Sequence, residues 1–131
     1  DLVLLLENTD EKDPGVLREL SASMGSPGFG LCLDVGHAHR HSPLKATEWL
    51  EALGGDVLYV HLYNTTSGGE EHHGALGSGE IDIEGFLRRL GGSIALVPVC
   101  LEMDVPQILA SVPWLTERGF FTLKAAPSDL F

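Results

Sequence analysis

Apolar residues gather in four short continuous runs: Leu2 to Leu6, Leu31 to Leu33, Val57 to Leu62 and Ile94 to Leu101. Runs of this length, without strict alternation, suit strands buried on both faces, as in a parallel sheet. Between them the spacing changes to the three-and-four rhythm of helices. Asp13-Pro14 offers an N-cap and a first-turn proline, Val16, Leu17, Leu20 and Met24 form an apolar stripe, and Gly25 stops it. Ser42-Pro43 repeats the device, with Leu44, Trp49, Leu50 and Leu53 as the stripe and Gly54-Gly55 as the stop. Asp82 caps a short helix carrying Phe86, Leu87 and Leu90, ended by Gly91-Gly92. A last helix starts near Pro106 and runs to Gly119, with Pro113 expected to kink or split it. Pro98 lacks a ladder donor, so the fourth strand begins there or carries a bulge.

The order is therefore four βα units, an α/β fold with parallel strands, right-handed crossovers and one domain over residues 1–131. In such folds the carboxyl ends of all strands meet at one face, and that face carries the chemistry. Glu7 ends the first run, Asp34 follows the second, His61 lies near the end of the third and Glu102 follows the fourth. Alternation implies that Leu5, Cys32, Tyr59 and Cys100 sit one layer below them on the same side. Three carboxylates brought together raise one another's pKa unless a cation neutralises them. An oxygen-rich set with one imidazole suits Mn²⁺, Mg²⁺ or Co²⁺, so Glu7, Asp34, His61 and Glu102 are the candidate metal ligands.

Composition narrows the partners. Eight basic against nineteen acidic residues leave a formal charge of −11, with no basic cluster beyond Arg88-Arg89, which disfavours nucleic acid and suits a neutral substrate. No run approaches the roughly 18 apolar residues of a membrane span, and a cytoplasmic location is expected. Cys32 and Cys100 fall inside apolar runs without CxxC spacing and read as free thiols. The first strand opens almost at Asp1, as in a chain cut from something longer. The loop from Tyr63 to Ile81, rich in Gly, Ser, Thr, Glu and His, has the length of a functional segment.

Five stretches in order, LLLEN (Leu4 to Asn8), CLDVGHAH (Cys32 to His39), VHLYN (Val60 to Asn64), EHHGALGSGEID (Glu71 to Asp82) and CLEMD (Cys100 to Asp104), resemble the carboxy-terminal half of the xylose-isomerase-like TIM barrels. That superfamily holds sugar and sugar-phosphate isomerases and epimerases, and the endonuclease IV type of apurinic endonuclease. The resemblance implies that Glu7, Asp34, His61 and Glu102 bind the central metal. In the epimerase branch it implies further that Glu7 and Glu102 are the catalytic acid/base pair and that His37 contacts substrate oxygen. In the endonuclease branch His37, Glu71 and His73 would hold a second metal, and the ions would be zinc. This chain reads His61-Leu62-Tyr63-Asn64 where many relatives read His-x-His-Asp, and Glu71 stands where the endonucleases usually have Asp.

A complete barrel needs eight strands and roughly 200 to 250 residues. Four βα units make half of one, so closure is expected either from a missing amino-terminal half or from a second copy in a homodimer. Three functions remain open: a metal-dependent sugar or sugar-phosphate isomerase/epimerase, an abasic-site endonuclease, or a non-catalytic truncated barrel. The bland alternatives are specific too. Glu7 and Glu102 could be solvated strand ends, Asp34 a turn residue bonding its own backbone, and His61 a satisfied core histidine. His39 and His72 read as loop residues, His41 as a residue next to the Ser42 cap, and Trp49 and Trp114 as packing residues.

Overall fold

The computed structural model describes residues 2–68, 73–92 and 96–122. Expectations that involve Glu70, Glu71, His72 or Ile94 fall outside them. The strands are β1 (Leu4–Glu7), β2 (Phe29–Asp34), β3 (Val57–Leu62) and β4 (Val99–Leu101), hydrogen-bonded in that order in one sheet. All three pairings are parallel. Helices α1 (Gly15–Met24), α2 (Val35–His41), α3 (Ala46–Leu53), α4 (Ile83–Gly91) and α5 (Val105–Glu117) fill the connections.

The core lies between the sheet and its helices. Leu31, Leu33, Val60 and Leu62 of the sheet meet Leu17, Trp49, Leu53, Phe86 and Leu90 of the helices, all buried. Trp49 is a packing residue, as its helical position suggested. Its indole N–H donates to the Ser42 hydroxyl at 3.0 Å. Trp114 packs against the core, stacks on Phe120 and carries Arg118 over its ring at 4.3 Å.

Several elements differ from the pattern. Residues 35–41, for which the pattern predicts no helix and where His39 is expected in a loop, form α2, with Asp34 as its cap. The third helix starts at Ala46 and not at Ser42-Pro43. The Ser42 hydroxyl bonds to Lys12 O, Leu44 N and the Trp49 indole, while the Glu48 carboxylate accepts from Lys45 N at 2.7 Å to set the helix start. Within the described part of the fourth run, residues 96–101, strand β4 covers Val99–Leu101. Pro98 lies just outside it, where its carbonyl still accepts from Val60 N. Pro113 does not split α5; the helix continues through it, and Leu109, whose carbonyl loses a donor, is exposed.

The α1 stripe also divides. Leu17 is buried, whereas Val16, Leu20 and Met24 are exposed, as are Leu2 and Val3 before β1 and Leu4 at its start. At the other end Val99, Val105 and Leu109 are exposed along β4 and α5. Both ends of the sheet thus leave apolar groups and unpaired strand edges uncovered, a feature that invites further strands.

One register shift matters most for the site. Leu31 pairs with Val57 but Cys32 pairs with Tyr59, so Leu58 is an extra residue in β3. It fits because Gly30 leaves room: a Cβ on Gly30 would lie 2.4 Å from Leu58 Cδ1. Without the bulge, Val57 and His61 would share a face by simple alternation. With it, Val57, Val60 and Leu62 all face the helices while His61 pairs with Asp34 on the other side.

Phe86, fully buried among α4 and the sheet, tests the core directly. Phe86→Ala is expected to lower unfolding stability by about 3–5 kcal/mol, measured by urea titration of the metal-free chain.

Candidate metal centre

The tips of the strands converge. Ligand atoms of Glu7, Asp34, His61 and Glu102 all lie within 4.8 Å of one another. His61 Nδ1 is the meeting point, at 3.0 Å from Glu7 Oε1, 3.2 Å from Glu102 Oε2 and 3.8 Å from Asp34 Oδ2. One imidazole nitrogen carries at most one proton, and a single N–H cannot serve three carboxylates. The geometry therefore holds more acceptors than the chain supplies donors.

Asp34 makes that excess acute. It is fully buried at the end of β2. Its Oδ1 caps α2, accepting from His37 N at 2.7 Å, so the turn reading of this residue holds for one oxygen. Its Oδ2 is buried and accepts no hydrogen bond from the described residues. Burial pushes the Asp34 carboxyl up from the usual 3.8 to about 6, against the opposing pull of the His37 N–H and ring, with Glu7 and Glu102 adding smaller upward contributions. An unpaired oxygen aimed at a ring nitrogen and two further carboxylates is the arrangement a small divalent cation satisfies. On that chemistry the four residues fit a hard, oxygen-preferring ion.

Below this layer lie Cys32, buried, and Tyr59, whose ring meets that of His61 edge-on at 5.7 Å. Burial, with Glu7 and Asp34 nearby, raises the Cys32 thiol to about 12, so it stays protonated as a small apolar group. Both cysteines are free thiols, as their spacing suggested.

His37 and His73 stand beside the cluster. His37 Nδ1–H donates to Asn8 O at 2.9 Å and lies 3.8 Å from Glu7 Oε1. His73 Nδ1–H donates to Glu102 O at 2.6 Å, and its ring stacks on Tyr63 with centroids 3.8 Å apart. Tyr63, fully buried, occupies a notch at Gly36, where an added Cβ would come within 2.1 Å of Cζ. Among the described residues neither histidine joins a group able to hold a second ion; Glu71 lies outside those residues. A recess of about 500 Å³, lined by His73, Glu102, Met103, Asp104 and Gln107, opens next to Glu102.

Two asparagines that sequence reading had no reason to single out organise the rim. Asn64, buried, gives its amide N–H groups to Leu76 O and Ile81 O and accepts from Thr65 N and Ile81 N, which ties the long loop to the end of β3. Asn8, equally buried, binds the main chain of Asp34. Their signal is only a polar residue just after a strand, which turns and solvated ends share. His39 and His41 lie in α2, near Glu80 and Asp10 respectively.

Known proteins can now be set beside this geometry. Residues 1–118 match the family model described as xylose isomerase-like TIM barrel. A D-tagatose 3-epimerase-like protein superposes with TM-score 0.74 and 22% identity over 88% of this chain and 46% of that one. A Thermus thermophilus protein soaked with zinc chloride gives 0.69 and 29% identity, over 88% of this chain and 44% of its own. A xylose isomerase domain protein from Planctomyces limnophilus gives 0.72 and 18% identity, again over 88% and 44%. The chain spans less than half the length of each, so its four parallel strands and their helices correspond to part of a TIM barrel. No curated protein matches it in sequence.

The buried carboxyl yields a pH prediction. Asp34 has a folded pKa near 6 against 3.8 for an ordinary carboxylate, so its ionised form destabilises the metal-free fold. That penalty is absent below about pH 4, grows between pH 4 and 6, and is complete above 6, reaching up to about 3 kcal/mol. Asp34→Asn, which keeps the cap oxygen and turns a donor toward Glu7 and Glu102, is expected to be more stable than the natural sequence at pH 7 and equal to it at pH 4. Chemical denaturation at the two pH values in the presence of chelator checks this.

Proposed function

The chain belongs to the xylose isomerase-like TIM barrel family, and on that premise we propose that it carries the metal-binding half of an isomerase or epimerase acting on a small sugar or sugar phosphate. The observation behind this reading is the convergence of Glu7, Asp34 and Glu102 on His61 Nδ1, with Asp34 Oδ2 buried and unpaired. These four residues would hold one divalent ion, Mn²⁺, Mg²⁺ or Co²⁺ by the hardness of the donor set. When bound, such an ion supplies Lewis acidity toward the carbonyl and hydroxyl oxygens of a sugar.

The chain's own groups do the rest. Glu7 ends one outer strand and Glu102 directly follows the other, each against the same ring nitrogen of His61. One carboxylate takes the proton from the carbon beside the carbonyl, and the other returns a proton to the opposite face or to the neighbouring carbon. The first outcome is epimerisation; the second is isomerisation, in which the neighbouring hydroxyl proton also passes to the former carbonyl oxygen, so that the protons balance in both. His37, held by Asn8 O at the rim, is placed to hydrogen-bond a sugar hydroxyl. His73 fixes the Glu102 main chain through its carbonyl and so steadies the second carboxylate.

The endonuclease reading draws on His37, Glu71 and His73 as a second site. Among the described residues neither His37 nor His73 joins a group of ligand atoms close enough to hold a second ion, and the formal charge of −11 opposes a polyphosphate partner. The isomerase reading is therefore preferred. Four further βα units would complete the pocket, from an amino-terminal half or from a second copy.

Incubation of the assembled protein with Mn²⁺ and a panel of ketoses in D₂O should introduce deuterium at the carbon beside the carbonyl, read by NMR. Glu102→Gln should slow that exchange by roughly 10²–10⁴-fold with an unchanged circular dichroism spectrum. Full exchange in Glu102→Gln, or cleavage of an abasic duplex without any exchange, would refute the assignment. Light scattering decides how the barrel closes: a particle of twice 14.1 kDa supports a second copy, and a monomer assigns closure to another half.

A further inference from the structure

Asn8 offers no ligand atom to the cluster and has no acid or base chemistry, yet it is 1% exposed and turns both ends of its amide on one neighbour. Its Nδ2–H donates to Asp34 O at 3.0 Å, and its Oδ1 accepts from Asp34 N at 2.8 Å. The main-chain pairing of β1 with β2 ends at Glu7 opposite Cys32. Beyond that point the Asn8 carboxamide, planar and carrying one donor face and one acceptor, stands in for the peptide group that a further rung would need.

The same residue closes a ring of contacts around Asp34. The Asn8 main-chain carbonyl, beside the clamped side chain, receives the His37 ring N–H, and the His37 main-chain N–H binds Asp34 Oδ1 at 2.7 Å. Asp34 is thereby held at its nitrogen, its carbonyl and one carboxylate oxygen. Only Oδ2 is left, and it is the atom directed toward His61 Nδ1. A loose Asp34 could rotate and offer Oδ1, or turn its carboxylate away from Glu7 and Glu102. The His37 N–H on Oδ1 opposes both movements, and the Asn8 amide fixes the main chain from which the carboxylate projects.

We propose that Asn8 is a positioning residue of the metal centre, presenting Asp34 Oδ2 to the ion and orienting the His37 ring at the rim. The inference rests on the metal-centre reading above. It differs from a plain stabilising role, because the hydrogen bonds land on the very residues whose side chains face the site. Partners that hold a ligand in place typically change metal affinity by 10–100-fold when removed.

The test is Mn²⁺ titration by calorimetry on the full chain for three proteins: the natural sequence, Asn8→Ala, and Leu53→Ala as a core-destabilised control remote from the cluster. Melting temperature is recorded for each, and ring ¹⁵N shifts of His37 are read without metal. Asn8→Ala keeps the main-chain carbonyl that accepts the His37 ring N–H but frees that segment from Asp34, so it should weaken Mn²⁺ binding at least tenfold and shift the His37 ring signals, whereas Leu53→Ala should lower the melting temperature with unchanged affinity. Equal affinity in Asn8→Ala and the natural sequence overturns the positioning role alone. Equal losses in both variants also overturn it, since affinity would then follow stability. No Mn²⁺ uptake by the natural sequence overturns the metal-centre reading, and this inference with it. Should Asn8→Ala fail to fold, Asn8→Ser, which keeps one polar atom, is measured against the same control.

Discussion

Asp34 Oδ2, a buried carboxylate oxygen without a donor, is the constraint around which the strand tips are arranged. Burying a charge this way is costly unless something opposite arrives, and replacing or ionising such a group changes stability by several kcal/mol. Among the described residues no arginine or lysine pairs with it. Instead the chain brings two further carboxylates and one imidazole to the same point. A fold selected for stability alone has no reason to collect like charges there, whereas a fold that binds a cation has every reason.

Geometry of the sheet makes the meeting possible. Parallel pairing sends the carboxyl ends of β1 to β4 to one side, but direction alone does not choose the face. In β3 the extra Leu58, accommodated over Gly30, moves His61 onto the same side as Asp34. Beyond β1 and β2 the Asn8 amide extends the ladder to the main chain of Asp34. Beyond β4 the His73 ring, propped on Tyr63 in its Gly36 notch, grips the Glu102 carbonyl. Each strand tip thus has its own local fastening, and the open edges at β1 and β4 are where further strands of a barrel would attach.

Much of this was legible in the sequence. Four parallel strands with helices between them could be foreseen because burial on both faces and 3.6-residue spacing leave strong patterns, although α3 begins later than its expected cap and only Leu17 of the α1 stripe is fully buried. Glu7, Asp34, His61 and Glu102 could be picked out because polar residues at the ends of four such runs are unusual together. Less was readable wherever two signals competed. Asp34 as a helix cap was hidden by its nearness to a strand, and α2 with it, since Val35-Gly36-His37 carries no apolar stripe. The Leu58 bulge breaks the period of two inside a run whose residues are nearly all apolar, so nothing in the letters marks it. Asn8 and Asn64 act through their amides on distant main chain, contacts that only the folded arrangement reveals.

The most direct test of the central claim is location of the ion itself. Crystals of the assembled protein soaked in MnCl₂ and measured at the manganese edge should give one strong anomalous peak per chain, within coordination distance of Glu7, Asp34, His61 and Glu102 together. No peak at that point, or a peak elsewhere with Asp34 Oδ2 still unpaired, would contradict the account.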